Sequence, residues 1–343
     1  GRDGQASRIV VATTQSSVVA MARSFRAEHP GMLSAVVLHD GDIDTASILS
    51  VLTTRAEDLV LRWSAGQWMR PALAQLPLAQ GEALRVRVDG VYWIVGGASG
   101  IGLATAEALA VRGAKTLVLS GRRTELDPAV MMRLTEQGAE VRWLQVDVSD
   151  PGALVEARDT IHAAYGALHG VIHSAGVLDD GPLVDRDLAR MQAVLAPKVQ
   201  GGPALASVLH DTPLDFLGFV SSLSARVPSA GQCDYAAGNA ALDDVARRFT
   251  GAARHVVSVA FGPWGEVGMV ADEAYRRALR ARGLPPMGTQ AGVDALLGAL
   301  AGGPREVVVT ALVPGASERL LVAVSGGEPQ SSGAPLAAPL APK

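Results

Sequence analysis

From residue 91 to residue 310 the chain repeats one pattern that few folds accept. Short apolar runs at 91–95, 116–119, 141–145, 170–173, 216–220, 255–261 and 306–310 are mostly separated by helical segments of ten or more residues. Parallel strands cannot be joined by tight turns and need long crossovers, usually helices. The alternation therefore predicts an α/β fold, a Rossmann-like doubly wound parallel sheet. Aromatic residues make up only 4% and glycines number 38, which suits helices lying close on a sheet better than an aromatic-rich β-sandwich. With 48% hydrophobic and 19% charged residues, disorder is excluded for most of the length.

Residues 1–85 carry a weaker version of the pattern. Strand candidates lie at 8–12 and 33–38, and helical spacing runs over 16–29, stopped by Pro30-Gly31, and over 45–52. Residues 59–63 and 67–70 read as a hairpin around Ala65-Gly66, with Trp63 and Trp68 packing it. This segment holds no Gly-rich loop and no cluster of polar residues, so it is expected to support rather than catalyse. Residues 326–343, rich in Gly, Ser, Pro and Ala, read as a disordered linker. The expected division is thus 1–85, 86–325 and 326–343.

Several classes are disfavoured by composition. A net charge of -4 and a pI near 6.0 argue against a nucleic-acid or anionic-membrane surface. No run of 18 apolar residues suggests a membrane span. The single cysteine, Cys233, reads as a small buried filler, and seven scattered histidines lack ligand spacing, so no metal site is expected. The chain starts at Gly1 without signal or transit composition and reads as a cytoplasmic piece of something longer.

The run Gly96-Gly97-Ala98-Ser99-Gly100-Ile101-Gly102 follows the strand at 91–95 and opens a helix. Glycines let the backbone turn sharply and approach a pyrophosphate, which the helix N-terminus attracts with free N–H groups. The alternative is a plain strand–helix turn. After the next strand, NAD enzymes place a carboxylate on the ribose 2′-OH, but this sequence has Ser120-Gly121-Arg122-Arg123. A guanidinium at Arg122 would pair with a 2′-phosphate, so NADPH is the expected cofactor, unless the arginines are a solvated pair. Asp147-Val148 is expected beside the adenine, although Asp147 also suits a helix cap.

Ser222 follows the predicted strand at 216–220, and Tyr235 and Asn239 are spaced to share one helix face, with Lys198 upstream. Together with Gly96–Gly102, the run from His173 to Val177, and Phe261-Gly-Pro-Trp-Gly, these residues resemble the short-chain dehydrogenase/reductase superfamily. The likeness is specifically to ketoreductase domains of modular polyketide synthases and related fatty-acid synthases. Ordinary members carry Lys four residues after the Tyr; here Asn239 stands there and the lysine lies in Ala196-Pro197-Lys198-Val199, as in synthase ketoreductases. The resemblance covers residues 91 to about 315, and residues 1–85 are similar to part of the noncatalytic subdomain that precedes such domains.

The resemblance implies reduction of a β-keto thioester on the phosphopantetheine arm of an acyl carrier protein, among neighbouring synthase domains. It also implies that Ser174, Ala175 and Gly176 border the cofactor. Leu178-Asp179-Asp180 matches the motif of B-type members, which give the D-configured alcohol, and Val227 stands where A-type members have Trp. The alternative for the two acids is a polar loop with a helix cap. Residues 266–287, with Met269, are implied to be a substrate lid; the alternative is a solvated surface helix.

The chemistry follows from the residue types as well. Ketone reduction needs a hydride on carbon and a proton on oxygen. Tyr235 is the expected acid, Lys198 is expected to lower its pKa and hold the nicotinamide ribose, and Ser222 to stabilise the developing oxyanion. Asn239 is expected to order Lys198 or a water. Gly201-Gly202-Pro203 after Lys198 is awkward for a continuous helix, because Gly and Pro disfavour helix interiors. The competing readings are a catalytically silent structural domain of a synthase and a free-standing carbonyl reductase.

Overall fold

Residues 9–30, 32, 35–53, 60–76, 84–267 and 273–325 are described by a computed structural model. The expected linker at 326–343 and Met269 lie outside the described residues.

The N-terminal part runs β1 (Val10–Thr13), α1 (Ser16–Glu28), β2 (Ala35–His39), α2 (Thr45–Thr53), β3 (Val60–Ser64) and β4 (Gln67–Met69). The four strands form one sheet in the order β1-β2-β3-β4, parallel except for the β3–β4 hairpin. Ala65 and Gly66, both with positive φ (49° and 75°), make its two-residue turn. Trp63 and Trp68 face each other across it with ring centroids 4.8 Å apart.

A second sheet follows. Its first half comprises β5 (Val91–Val95), α3 (Gly100–Val111), β6 (Thr116–Gly121), α4 (Pro128–Glu136), β7 (Glu140–Gln145), α5 (Pro151–Tyr165) and β8 (Gly170–His173). Next come α6 (Leu188–Leu195), α7 (Gly201–Val208), β9 (Phe216–Ser222) and α8 (Cys233–Arg248). The rest is β10 (Val256–Phe261), α9 (Glu273–Ala281), α10 (Thr289–Ala301), β11 (Glu306–Val309) and α11 (Ala316–Ser325). The seven strands are all parallel in the order β11-β10-β9-β8-β5-β6-β7. This is the Rossmann-like sheet expected from the alternation. Strand order reverses between β5 and β8, the point where a doubly wound sheet opens a crevice at its carboxyl edge.

Both faces of this sheet are buried, and each strand divides its side chains between them with period two. Tyr92 and Ile94 pack with Leu117, Leu119 and Phe216 beneath α3, α4 and α10. Val91, Trp93 and Val95 pack with Val171, Leu217 and Phe219 beneath α5, α7 and α8. The buried Trp93 indole donates to Ser120 Oγ at 2.9 Å, so its polar edge is satisfied.

One local expectation is corrected. Gly201-Gly202-Pro203 does not break the helix: residues Ala196–Gln200 form one π-turn and α7 continues directly. Pro203 is the third residue of α7 and lies just past the π-turn. The two glycines admit neighbours, since a Cβ on Gly201 would lie 2.9 Å from Val148 and one on Gly202 2.5 Å from Leu242.

The N-terminal sheet is anchored on the second through α1, which lies along α8. Ala20 packs among Ala225, Ala236 and Ala240. Ser16 donates through its backbone N–H (2.8 Å) and hydroxyl (2.6 Å) to the Asp244 carboxylate, and Arg248 donates to the Thr14 carbonyl.

In the centre of the large sheet Gly170 sits opposite Phe216, whose ring stacks on Tyr92 with centroids 5.9 Å apart. A Cβ at 170 would overlap that ring, which is itself buried. Gly170→Ala is expected to lower stability by about 1–3 kcal/mol, read from the midpoint of a denaturant melt.

Candidate active site

A single cavity of about 1710 Å³ opens along the carboxyl edge of the large sheet. One end is built from the loop after β5. Gly96 has φ +86°, and a Cβ there would lie 2.6 Å from the Ala175 backbone nitrogen. A Cβ on Gly102 would sit on the Gly96 carbonyl oxygen. Glycine is therefore required at both positions for this loop to fold against the β8 loop and for α3 to begin beneath it. Ser99, in extended conformation, is the N-cap of α3, and its side chain makes no capping hydrogen bond. Gly96, Ala98, Ser99, Gly100, Ile101, Ser174, Ala175 and Gly176 all line the cavity. Gly97 lies just behind, against Leu119.

Arg122 and Arg123 line the same end beyond β6, their backbone carbonyls tied to Gln145 Nε2 and Trp143 Nε1 and their side chains exposed. Asp147 lines it too, and its Oδ1 accepts from the Ser149 N–H at 2.9 Å. Val148 is buried at the wall. These features suit a dinucleotide: a glycine cradle without Cβ atoms, a helix N-terminus, and arginines where a ribose phosphate would lie.

The other end brings Ser222, Tyr235, Lys198 and Asn239 together. Lys198 is 5% exposed, delivered by the π-turn between α6 and α7. Its Nζ donates to the Val220 carbonyl and to Asn239 Oδ1, both at 2.9 Å. Burial lowers its pKa to about 8 against the opposing pull of Asp243. Asn239 is fully buried and anchored by its Nδ2, which donates to the Tyr235 carbonyl one turn earlier at 2.7 Å. Ser222 Oγ accepts from the Ser224 N–H (3.2 Å) and from Ser224 Oγ (3.1 Å), leaving its own proton to donate.

The phenol of Tyr235 behaves differently from the expectation. Burial pushes its pKa up, and hydrogen bonding from the Ser222 and Asn239 side chains draws it only partly back. The group is thus held protonated, the form a proton donor needs. Cys233, two residues earlier, is buried as expected, and burial together with Glu28 pushes its thiol up.

Beside this end, Asp179 and Asp180 do not face the cavity as free acids. Asp179 is gripped by Arg190 through two bonds (2.8 and 2.6 Å) and meets Arg186 at 2.9 Å, which pushes its pKa down to about 2. Asp180 Oδ2 accepts from Gln232 Nε2 at 3.0 Å. Arg186 also pairs with the buried Asp234 next to Tyr235. Leu178 lines the cavity, and Val227 is buried with Leu223 and Leu284 at its wall. Sequence reasoning missed Ser224, Arg186, Asp234 and Glu28. Only Asp234, adjacent to Tyr235, carried a positional signal.

His173, at the end of β8, is fully buried, and its Nε2 bonds the Pro197 carbonyl at 2.9 Å, bracing the π-turn. Burial, with Lys198 nearby, lowers its pKa to about 4. The unfolded chain, with an ordinary histidine, binds the proton more tightly. Stability is therefore fully present above about pH 6.5 and declines as pH falls from there towards 4. Between pH 7 and pH 5 the protein is expected to lose roughly 2 kcal/mol more than the His173→Asn variant does, read from denaturant melts at each pH.

Residues 90–266, just over half of the chain, match the family model of the KR domain. The chain is 39% identical over 222 residues to the polyketide synthase ThaG of Burkholderia thailandensis, covering 64% of this chain and 4% of ThaG. It is 35% identical over 246 residues to the polyketide synthase PksN of Bacillus subtilis, covering 68% of this chain and 4% of PksN. The chain thus spans a small fraction of these multidomain relatives. Among solved structures, the ketoreductase from the first module of phoslactomycin biosynthesis in Streptomyces sp. HK803 superposes with a TM-score of 0.81 at 28% identity. That match covers 96% of this chain and 79% of that one. A ketoreductase domain from the bacillaene assembly line gives 0.78 at 28% identity, covering 92% and 79%. By sequence and by fold, the chain is a polyketide synthase ketoreductase domain of the short-chain dehydrogenase/reductase superfamily, whose members bind nicotinamide cofactors.

Proposed function

We propose that this domain reduces a β-keto acyl thioester, carried on the phosphopantetheine arm of an acyl carrier protein, to the D-configured β-hydroxy thioester with NADPH. The observation that carries the reading is the joining, in one cavity, of a glycine cradle with arginines at one end and Tyr235, Ser222 and Lys198 at the other, with Asn239 buried behind Lys198. In this reading residues 1–85 are a structural subdomain, 86–325 the catalytic one and 326–343 a tether to neighbouring cytoplasmic synthase domains.

NADPH, when bound, supplies the hydride. The loop Gly96–Gly102 and the N-terminus of α3 would hold its pyrophosphate, Arg122 would pair with its 2′-phosphate, and Asp147 and Val148 would border its adenine. Ser222 donates its free proton to the ketone oxygen and stabilises negative charge as it develops there. Tyr235, kept neutral by burial, gives up its proton to that oxygen. Lys198 uses two N–H donors on Val220 and Asn239, and its third would be left to hold the nicotinamide ribose. Its charge also favours the phenolate that Tyr235 becomes. Asn239 holds the ammonium in position. The segment with Leu178, Asp179 and Asp180, together with Val227, selects the face of the ketone presented.

Tyr235→Phe is expected to lower kcat on a diketide thioester by about 100-fold or more while NADPH binding, followed by fluorescence, is retained; full activity would remove Tyr235 as the acid. The wild-type product should be the D-alcohol on chiral chromatography, and the L-alcohol would overturn the stereochemical part. Because Lys198 is charged only below about pH 8, kcat/KM for reduction is expected to fall as pH rises through that value. A profile flat from pH 7 to 10 would contradict the role given to its charge.

A further inference from the structure

The N-terminal part of the chain reaches the substrate end of the cavity. Ala27, Glu28 and His29 line it, and Glu28, the last residue of α1, binds two separate segments there. One carboxylate oxygen, Oε2, accepts from the Leu183 N–H at 2.7 Å. The other, Oε1, accepts from the Gly231 N–H at 2.9 Å and from the Cys233 thiol at 3.4 Å. Leu183 follows the Leu178-Asp179-Asp180 segment, and Gly231 and Cys233 lead directly into Tyr235. The two segments are also stitched by the Gly181 N–H to Gly231 O bond (2.9 Å) and by Gln232 to Asp180.

We infer that Glu28 is a positioning residue that sets the spacing of the two segments between which the β-keto acyl chain enters, and so governs substrate affinity and facial selectivity. The inference rests on the function proposed above. Two backbone donors on separate segments converge on one side chain, and only a two-oxygen acceptor satisfies both. An amide would turn an NH2 towards one of them, donor against donor. Hydrogen bonds from N–H to a carboxylate are among the stronger ones, so the clasp resists parting of the loops. The acid is supplied by the N-terminal part, which thereby acts on selectivity as well as on stability.

The test compares wild type with Glu28→Ala and Glu28→Gln. Amide hydrogen exchange should show lost protection at Leu183 and Gly231 in both variants, with the sheet unchanged. With a racemic 2-methyl-3-ketopentanoyl thioester, KM is expected to rise about tenfold and the minor stereoisomer to increase, while kcat changes little and the KM for NADPH stays at the wild-type value. Wild-type-like protection, KM and product ratio would overturn the inference. So would a variant whose KM values for both substrates and melting temperature change together, because that pattern marks a merely structural acid. Failure of the wild-type protein to reduce the thioester would instead count against the proposed function.

Discussion

A buried ammonium is the constraint around which the site is organised. Removing a lysine cation from water costs several kcal/mol unless its donors are satisfied. Lys198 meets that demand through groups from two elements: the Val220 carbonyl near the end of β9 and Asn239 on α8. The π-turn that carries the lysine is itself braced by His173 from β8. The register of two neighbouring strands and the seating of one helix are therefore tied to one nitrogen atom. The remaining cost shows in the pKa of about 8, well below the ordinary lysine value.

A second layer of charge holds α8, the helix of Tyr235 and Asn239, in place. Asp243 is buried, accepts from Ser258 Oγ at 2.6 Å and pairs with Arg226 at 2.8 Å; even so, burial pushes its pKa up. Arg226 and Arg247 share Glu306 at the start of β11, and Arg247 also pairs with Asp244, which accepts from Ser16 of α1. Arg23 of α1 enters the same region, donating to the carbonyls of Arg226 and Val324, and burial beside Arg226 lowers its pKa to about 9. Buried pairs of this kind add little net stability, but removing one partner leaves a stranded charge, so they hold the helices in a single arrangement. The N-terminal part is thus bound to α8 at both ends of α1: Ser16 at the start and Glu28 at the finish.

Much of this was legible beforehand, for identifiable reasons. The strands of the large sheet are buried on both faces, so they read as short continuous apolar runs, and their bounds fall within a residue or two of the expected ones. The glycines after β5 were legible because no other residue permits those close approaches. The spacing of Tyr235 and Asn239 was legible because four residues is close to one helical turn. Gly201-Gly202-Pro203 misled because propensity describes an isolated helix, whereas here Val148 and Leu242 fill the space the glycines leave. The Tyr235 phenol misled because charge proximity was inferred without the burial that opposes it.

Local pattern and residue chemistry, read from the sequence alone, determined the parallel sheet, the glycine-rich loop after β5 and the four polar residues of the cluster. These depend on periodicity, on backbone freedom at glycine and on side-chain type, all carried by short stretches of chain. Only the tertiary structure decided that Asp179 is gripped by arginines, that burial raises the Tyr235 pKa, and that Glu28 joins segments 155 and 203 residues away. Partnership and burial arise from which distant surfaces the fold brings together, and no local pattern encodes that.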